Sequence, residues 1–296
     1  MSLHPPPSVY IPSKKYEVEA PPILSAGRTI TFTPSADPNP RTLTLTILKP
    51  FAPFTKSVVL LVRADELGPD PAVIKIFDPR FLNERLIRTS MRQPPEWTLA
   101  AETAAASLDD SVSEIPLLYP PPPDLDAQGV LARDSLWEKQ LRRLSYECFD
   151  SEWRAYERLR VYQGSAIPRM FMKGSVIYPD ARAIHPPAVI IEYIPDPLVL
   201  RDVAPGTVDA DICITLRAVD TFGRFGLFHG DINPNNVLFS PKARPTRAVL
   251  IDFGCAGFRI EGQSDEEWAV QVNGFWDSHW IRLHLREQGI PIPEDI

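Results

Sequence analysis

The sequence of 296 residues is poor in cysteine and has no long apolar run. Its three cysteines, Cys148, Cys213 and Cys255, are widely spaced and form no C-x-x-C pair, which excludes a disulfide framework and a cysteine zinc site. We expect them to be buried thiols. No apolar segment approaches the roughly eighteen residues that span a bilayer, and prolines replace the apolar part of a secretory signal. We therefore expect an intracellular protein, in the cytoplasm, with the nucleus as the alternative.

Positive charge is also scarce. Lysine and arginine total 31 against 38 aspartates and glutamates, giving a net charge of -7. Only Lys14-Lys15 and Arg142-Arg143 are adjacent basic pairs. This balance argues against nucleic acid and anionic membranes as partners. The apolar content of 44% is sufficient for a substantial core.

Proline, by contrast, is abundant, with 33 residues. Residues 1–26 contain several prolines and are predicted to form an extended arm, because proline interrupts helices and central strands. A β region is predicted next. Alternating polar and apolar residues at 41–48 indicate a half-buried strand. Residues 57–63 and 71–77 are predicted to form a hairpin.

The most informative motif is His229-Gly230-Asp231-Ile232-Asn233-Pro234-Asn235-Asn236, followed by Asp252-Phe253-Gly254. An aspartate and an asparagine five positions apart can hold a hydroxyl nucleophile and Mg²⁺ side by side, and a second aspartate can hold metal against the phosphates of ATP. Short apolar runs around both motifs are predicted to be strands. The alternative is that these are ordinary turn residues, because Asp, Asn and Gly favour turns.

Lys75 is the only charged residue in its apolar run. A lysine there can reach the phosphates of a nucleotide if a carboxylate on a following helix orients it, or it can simply face solvent. The stretch from Ser135 to Val161 has an apolar stripe of helical period. We choose Glu152 as the partner of Lys75, with Glu147 and Glu157 as alternatives.

These motifs resemble those of the protein-kinase-like superfamily, and the sequence is most similar in character to small fungal kinase-like proteins. The H-G-D loop is also similar to that of aminoglycoside and choline phosphotransferases. The resemblance covers roughly residues 43–285. It implies an α+β, bilobal protein-kinase-like fold, with an N-lobe antiparallel sheet plus an αC helix and a reduced, mainly helical C-lobe. The expected division is an arm at 1–26, an N-lobe at 27–194 with a proline-rich insertion at about 80–133, and a C-lobe at 195–296.

The resemblance also implies roles for individual residues. Lys75 would bind phosphates, Glu152 would orient Lys75, and Asp231 would act as base or orient the hydroxyl. Asn236 and Asp252 would be the Mg²⁺ ligands. In addition, backbone groups near Glu192 and Ile194 would bind adenine.

Several features depart from the usual kinase pattern. No G-x-G-x-x-G precedes Lys75; residues 50–57 contain two prolines, and the hydroxyls of Thr55 and Ser57 are the candidates to replace the missing glycine amides. Asn233 and Gly230 stand where protein kinases have lysine and arginine. Only 44 residues follow Asp252, which predicts a minimal C-lobe.

Three helices are predicted around these motifs. Asp209 is expected to cap a helix that ends at Gly226. After Asp252, Ser264 and Glu267 are expected to form a capping box for a second helix, and Asp277 to cap a last one.

We therefore expect an atypical ATP- and Mg²⁺-dependent phosphotransferase that acts on an unknown hydroxyl of a protein or small molecule. The alternative is a pseudokinase, a nucleotide-binding or scaffold protein without catalysis. The proline-rich insertion is a linker or a site for an SH3-like protein partner.

Overall fold

The computed structural model describes residues 18–35, 41–87, 89, 93–109 and 111–290. Most of the predicted arm therefore lies outside the described residues. The described part is a mixed α and β structure. It contains a barrel of six strands, two helices inserted between the fourth and fifth of these strands, and then smaller sheets and helices.

The barrel is closed and entirely antiparallel, in the order β1-β2-β3-β4-β6-β5. Its strands are β1 (Thr29–Pro34), β2 (Leu43–Pro50), β3 (Val58–Arg63), β4 (Ala72–Ile76), β5 (Met170–Ile177) and β6 (Pro187–Glu192). The predicted strands at 41–48, 57–63 and 71–77 are present. The expected antiparallel sheet is closed into a barrel, because two strands that the sequence did not predict, β1 and β5, pair with each other. Gly174 permits this contact, since a Cβ there would lie 2.1 Å from the Thr33 carbonyl oxygen.

Alternation along β4 separates the barrel interior from its outer face. Ile74 and Ile76 are buried in the interior core. Val73 and Phe77 belong to a second core that includes residues of a long helix, so Lys75 lies between them on the face toward that helix.

Two α-helices lie between β4 and β5. They are α1 (Leu99–Ala106) and α2 (Ala127–Arg158), which pack against each other. The Asp126 carboxylate caps α2 by accepting from the Gly129 amide at 2.7 Å. The predicted helix at 135–161 is thus present and begins earlier. Within the predicted proline-rich insertion, the short helix α1 packs on α2.

The remaining chain forms small sheets and short helices. The strands are β7 (Leu198–Val199), β8 (Leu227–Phe228), β9 (Val237–Ser240), β10 (Arg247–Leu250) and β11 (Gly257–Phe258), and the helices are α3 (Asp265–Phe275) and α4 (Asp277–Glu287). β9 pairs with both β7 and β10, whereas β8 pairs with β11. The predicted capping box of Ser264 and Glu267 is present at α3.

The helix predicted after Asp209 is present at Ala210–Phe225, and it is a 3-10 helix. Its buried residues Cys213, Leu216, Val219 and Phe222 recur every three positions, which aligns them along one side of a 3-10 helix. Its ends are as expected: Asp209 caps it and Gly226 ends it with φ of 70°.

Within the described ranges, no helix is both long and apolar enough to cross a membrane.

Candidate active site

Lys75 joins the barrel to α2 and to the segment after β10. Its Nζ lies 2.8 Å from Glu152 Oε2 and 2.8 Å from Asp252 Oδ1. Lys75 and Glu152 are buried, whereas 39% of the Asp252 side chain is exposed. The geometry brings together three residues that are separated by up to 177 positions in sequence.

The charges of this triad depend on one another. Burial alone would lower the pKa of Lys75, but the carboxylates of Asp252 and Glu152 outweigh it and raise that pKa. Burial would raise the pKa of Asp252, but the Lys75 ammonium lowers it below its ordinary value. For Glu152, burial outweighs the ammonium and its pKa is raised. Lys75 is therefore a fixed cation, and Asp252 is the carboxylate that stays ionised and faces outward.

Of the three candidate partners for Lys75, it is Glu152 whose carboxylate lies beside it. Glu147 pairs with Arg143 at 3.0 Å on the exposed side of α2. Glu157 pairs with Arg160 near the end of the helix. Helical spacing therefore separates the buried glutamate from the two at the surface.

The loop between β8 and β9 holds Asp231 next to Asn236. The Asn236 side-chain nitrogen donates to the Asp231 backbone oxygen at 2.9 Å and to its carboxylate at 3.3 Å. Asn233 forms a turn within the loop, since its side-chain oxygen accepts from the Asn235 amide at 2.9 Å. Burial, followed by the nearby Asp252 carboxylate, raises the pKa of Asp231. The two aspartates thus face one region and influence each other.

Hydrogen bonds between the loop and Ile251 position the backbone just before Asp252. The Ile251 amide donates to the Asn236 carbonyl at 2.9 Å, which places the two predicted metal ligands on adjacent segments. His229 Nε2 lies 3.1 Å from the Ile251 carbonyl, while His229 Nδ1 accepts from the Asp231 amide at 3.3 Å. Asp252 itself has φ of 71°, an unusual conformation for a residue other than glycine that is typical of functional sites.

Phe253 anchors the following segment in the core. It is fully buried, and its ring contacts Tyr156 of α2, Phe222 and His229 at centroid distances of 5.6, 6.1 and 4.8 Å. The Asp252-Phe253-Gly254 element is therefore attached both to α2 and to the loop that carries Asp231.

Asp277 is a site residue that the sequence did not reveal. We expected Asp277 to cap α4, but it is the first residue of that helix, and its side chain contacts the loop that carries Asp231. Its carboxylate accepts from the His229 amide and, at 3.1 Å, from the Gly230 amide. Burial raises its pKa. The sequence contains no local signal for this contact, which spans 48 positions.

Gly230 is required by the backbone of the loop. Its φ is 75°, and a Cβ would lie 2.6 Å from the Cys255 carbonyl oxygen. The arginine found at this position in protein kinases therefore does not fit here. Cys255 is exposed, so the expectation of a buried thiol is wrong for it; Cys213 is buried and Cys148 is half-buried.

The glycine-free segment 50–57 has its backbone tied to the barrel. Phe54 is buried in the barrel core and pairs with Val18, donating its amide to the Val18 carbonyl at 2.8 Å. The Thr55 carbonyl accepts from the Asn83 amide at 2.8 Å, and Ser57 is buried. Neither Thr55 nor Ser57 shows a contact with Lys75.

The predicted adenine-binding segment follows β6. The Glu192 amide already donates to the Arg169 carbonyl at 2.8 Å, and the Glu192 side chain pairs with Arg247 at 2.6 Å and accepts from the Arg169 amide at 2.9 Å. Ile194 is buried, and among the described residues none hydrogen-bonds with its backbone. Its backbone groups therefore remain available for an adenine edge, as the prediction requires.

The candidate active site offers few oxygen ligands for a metal ion. Within the described residues, no three His, Cys, Asp or Glu side chains cluster as a metal site. Asp252 and the side-chain amide oxygen of Asn236 still fit Mg²⁺, which uses one or two carboxylates together with water and the phosphates of a substrate.

Comparisons with known proteins gave one kind of match. No protein-family model and no curated protein matches the chain. Among solved structures, it is similar to the Rio2 kinase-ADP/Mg²⁺-phosphoaspartate complex from Chaetomium thermophilum, with 13% identity and a TM-score of 0.40. The alignment covers 81% of this chain and 55% of that one, so the chain spans about half the length of the kinase it matches. The ligands of that complex are features of that kinase.

Proposed function

We propose that this chain is an atypical phosphotransferase that uses ATP and Mg²⁺ to phosphorylate a hydroxyl acceptor. One observation carries the proposal: the Lys75 ammonium lies between Glu152 and Asp252, 2.8 Å from each, on the side of the barrel where Asp231 and Asn236 are held. A structural ion pair needs only two partners. A buried lysine with a buried and an outward-facing carboxylate has the arrangement that phosphate and metal binding require.

In this proposal, Glu152 holds Lys75 in place and Lys75 binds phosphate oxygens. Asp252 and Asn236 would hold Mg²⁺, which neutralises charge on the phosphates when it is bound. The backbone of Ile194 and the carbonyl of Glu192 would bind the adenine edge, since the Glu192 amide already donates to the Arg169 carbonyl. The lowered pKa of Asp252 suits this role, because a metal ligand must be ionised.

Asp231 would orient the acceptor hydroxyl and receive its proton. As the acceptor oxygen bonds to the γ-phosphorus, the bond from that phosphorus to the bridging oxygen breaks and ADP leaves. Asp277 and His229 would keep the loop in position. A raised pKa brings Asp231 closer to the range in which a carboxylate is an effective general base.

The second candidate is a pseudokinase that binds nucleotide or protein without catalysis. The observation that favours it is the segment 50–57, in which the Phe54 amide is committed to Val18 and the Phe54 side chain to the core. Kinases use free amides of this segment to hold phosphates, and prolines at Pro50 and Pro53 remove two more donors.

Binding and turnover distinguish the two candidates. We expect Mg·ATP at about 100 times its Kd to add roughly 2.7 kcal/mol of stability, measured as a thermal shift, and phosphate release to accompany it. Asp252→Asn should abolish the shift. Asp231→Asn should keep the shift and abolish phosphate release.

Asp265→Asn, at an exposed position in α3, is the matched control and should leave both signals unchanged. A wild-type shift without phosphate release, unaffected by Asp231→Asn, would favour the pseudokinase. No shift at all would exclude both nucleotide-dependent proposals.

A further inference from the structure

We propose that residues Tyr119–Pro123, which we name the proline strap, form a docking ligand for a protein domain with an aromatic-lined groove and a basic rim. The strap consists of one tyrosine and four consecutive prolines. This proposal is independent of nucleotide chemistry and concerns the insertion between β4 and α2.

The strap is exposed along its whole length. Tyr119 is 61% exposed, and Pro120 to Pro123 are all exposed. Ile115 and Leu118, directly before the strap, are 62% and 61% exposed. Apolar side chains that lie together at a surface indicate an interaction site more often than isolated ones do.

Both ends of the strap are anchored. Arg133 of α2 donates to the Pro116 carbonyl at 2.9 Å and to the Tyr119 carbonyl at 2.6 Å, and Leu117 is buried. After the strap, Asp126 caps α2. An ordinary linker has no need of such ties, whereas a ligand held at both ends loses less conformational entropy when it binds.

The prolines restrict the backbone of the strap from Tyr119 to Pro122, and Pro123 lies in a turn with Asp124. Each residue that precedes a proline is confined to extended or polyproline II geometry, and Tyr119 has φ of -115° and ψ of 151°. Polyproline II has three residues per turn, so Tyr119 and Pro122 share one ridge and Pro120 and Pro123 the next. Two such ridges are what the grooves of SH3, WW and EVH1 domains accept.

Charge indicates the rim of the partner. The exposed Asp124 follows the strap directly and Asp126 lies two positions further on, whereas Glu114, before the anchor, already pairs with Arg143 at 2.9 Å. A groove with basic residues at its edge would attract this segment, whereas an acidic one would repel it.

The strap is also distant from the candidate active site. Arg133 and Glu152 are separated by nineteen positions of one helix, which corresponds to about 28 Å. A bound domain would therefore leave the Lys75 cleft accessible, and the two sites can be tested separately.

The test uses the full chain against a panel of purified SH3, WW and EVH1 domains, with affinities measured by biolayer interferometry. We expect at least one domain with a basic rim to bind saturably. Pro121→Ala/Pro122→Ala and Tyr119→Ala should each weaken it at least about tenfold without lowering the melting temperature, since these side chains are exposed.

Pro5→Ala/Pro6→Ala changes prolines of the N-terminal arm and is the matched control, with Asp252→Asn as a second control in the cleft; both should bind like the wild type. The proposal is overturned if no domain binds, if the strap variants bind as tightly as the wild type, or if the arm variant loses binding instead.

Discussion

At the scale of single residues, Lys75 determines the charge balance of the candidate site. Its ammonium compensates a fully buried Glu152 carboxylate and a partly exposed Asp252 carboxylate. Removing one partner of a buried ion pair leaves an uncompensated charge, which costs more than the pair contributes. The site is thus both a functional candidate and a sensitive point for stability.

We predict that Lys75→Met lowers the free energy of unfolding by about 3–5 kcal/mol, because Glu152 loses its cation. Adding Glu152→Gln should recover part of this loss, since a neutral amide is less costly to bury than a carboxylate. Urea unfolding of the two single variants and the double variant measures the coupling. A double variant no more stable than Lys75→Met would contradict the assigned pair.

Gly230 provides a second prediction at this scale. Gly230→Ala should lower the free energy of unfolding by roughly 1–3 kcal/mol, because φ is 75° and the new Cβ would lie 2.6 Å from the Cys255 carbonyl. Gly274→Ala is the matched control, since nothing lies within 4 Å of its Cβ position in α3. That control should stabilise the protein by roughly 0.5–1 kcal/mol, as alanine does in helices. Equal effects of the two changes would refute the argument.

At the scale of elements, a buried ionic cluster attaches α1 to the barrel. Arg182 contacts Asp78 at 2.9 Å and Glu102 of α1 at 2.7 Å. Arg80 also contacts Asp78, at 2.9 Å, and Trp97 donates to Glu102 at 2.8 Å. The insertion before α2 is therefore attached to the barrel at α1.

We predict that Arg182→Met lowers the free energy of unfolding by about 3–5 kcal/mol, because two buried carboxylates lose a shared cation. Hydrogen exchange should increase first in α1, which the cluster holds. Arg201→Met, at a side chain that is 63% exposed, should change stability by no more than about 0.5 kcal/mol. Unchanged protection of α1 would show that the helix is held by its packing on α2 alone.

Sequence patterns predicted the elements that have a local signal. Alternation predicted β2, apolar runs predicted the hairpin of β3 and β4, and the helical stripe predicted α2, which carries Glu152. β1 and β5 were missed because their partners are distant in sequence, and closure of the barrel depends on them. The role of Asp277 is equally non-local. In Ala210–Phe225 the apolar stripe predicted a helix, whereas its 3-10 type follows from the buried residues that recur every three positions.

At the scale of the whole molecule, protonation of some buried carboxylates destabilises the folded state as the pH falls, whereas protonation of others stabilises it. The pKa of Asp78 is lowered because Arg182 and Arg80 outweigh its burial, so its contribution to stability is lost on acidification. Burial raises the pKa values of Glu152 and Asp277, so protonation of these groups favours the folded state. The free energy of unfolding at acid pH therefore depends on two sets of groups with opposite contributions. A variant that removes one carboxylate separates them.

Asp78→Asn removes the carboxylate whose protonation destabilises the folded state. Because the folded pKa of Asp78 lies below its ordinary value of 3.8, its contribution is complete above that pH and is lost as the pH falls through the folded pKa. We expect the variant to be about 3–5 kcal/mol less stable than the wild type at neutral pH, with a constant difference down to about pH 5. Below about pH 3.8 the difference should shrink, because the wild type protonates Asp78.

Urea unfolding across this pH range measures the stability of the wild type and of Asp78→Asn, with the exposed Asp70→Asn as the control. A difference that does not change with pH would mean that Asp78 contributes through its shape and hydrogen bonds, and not through its charge.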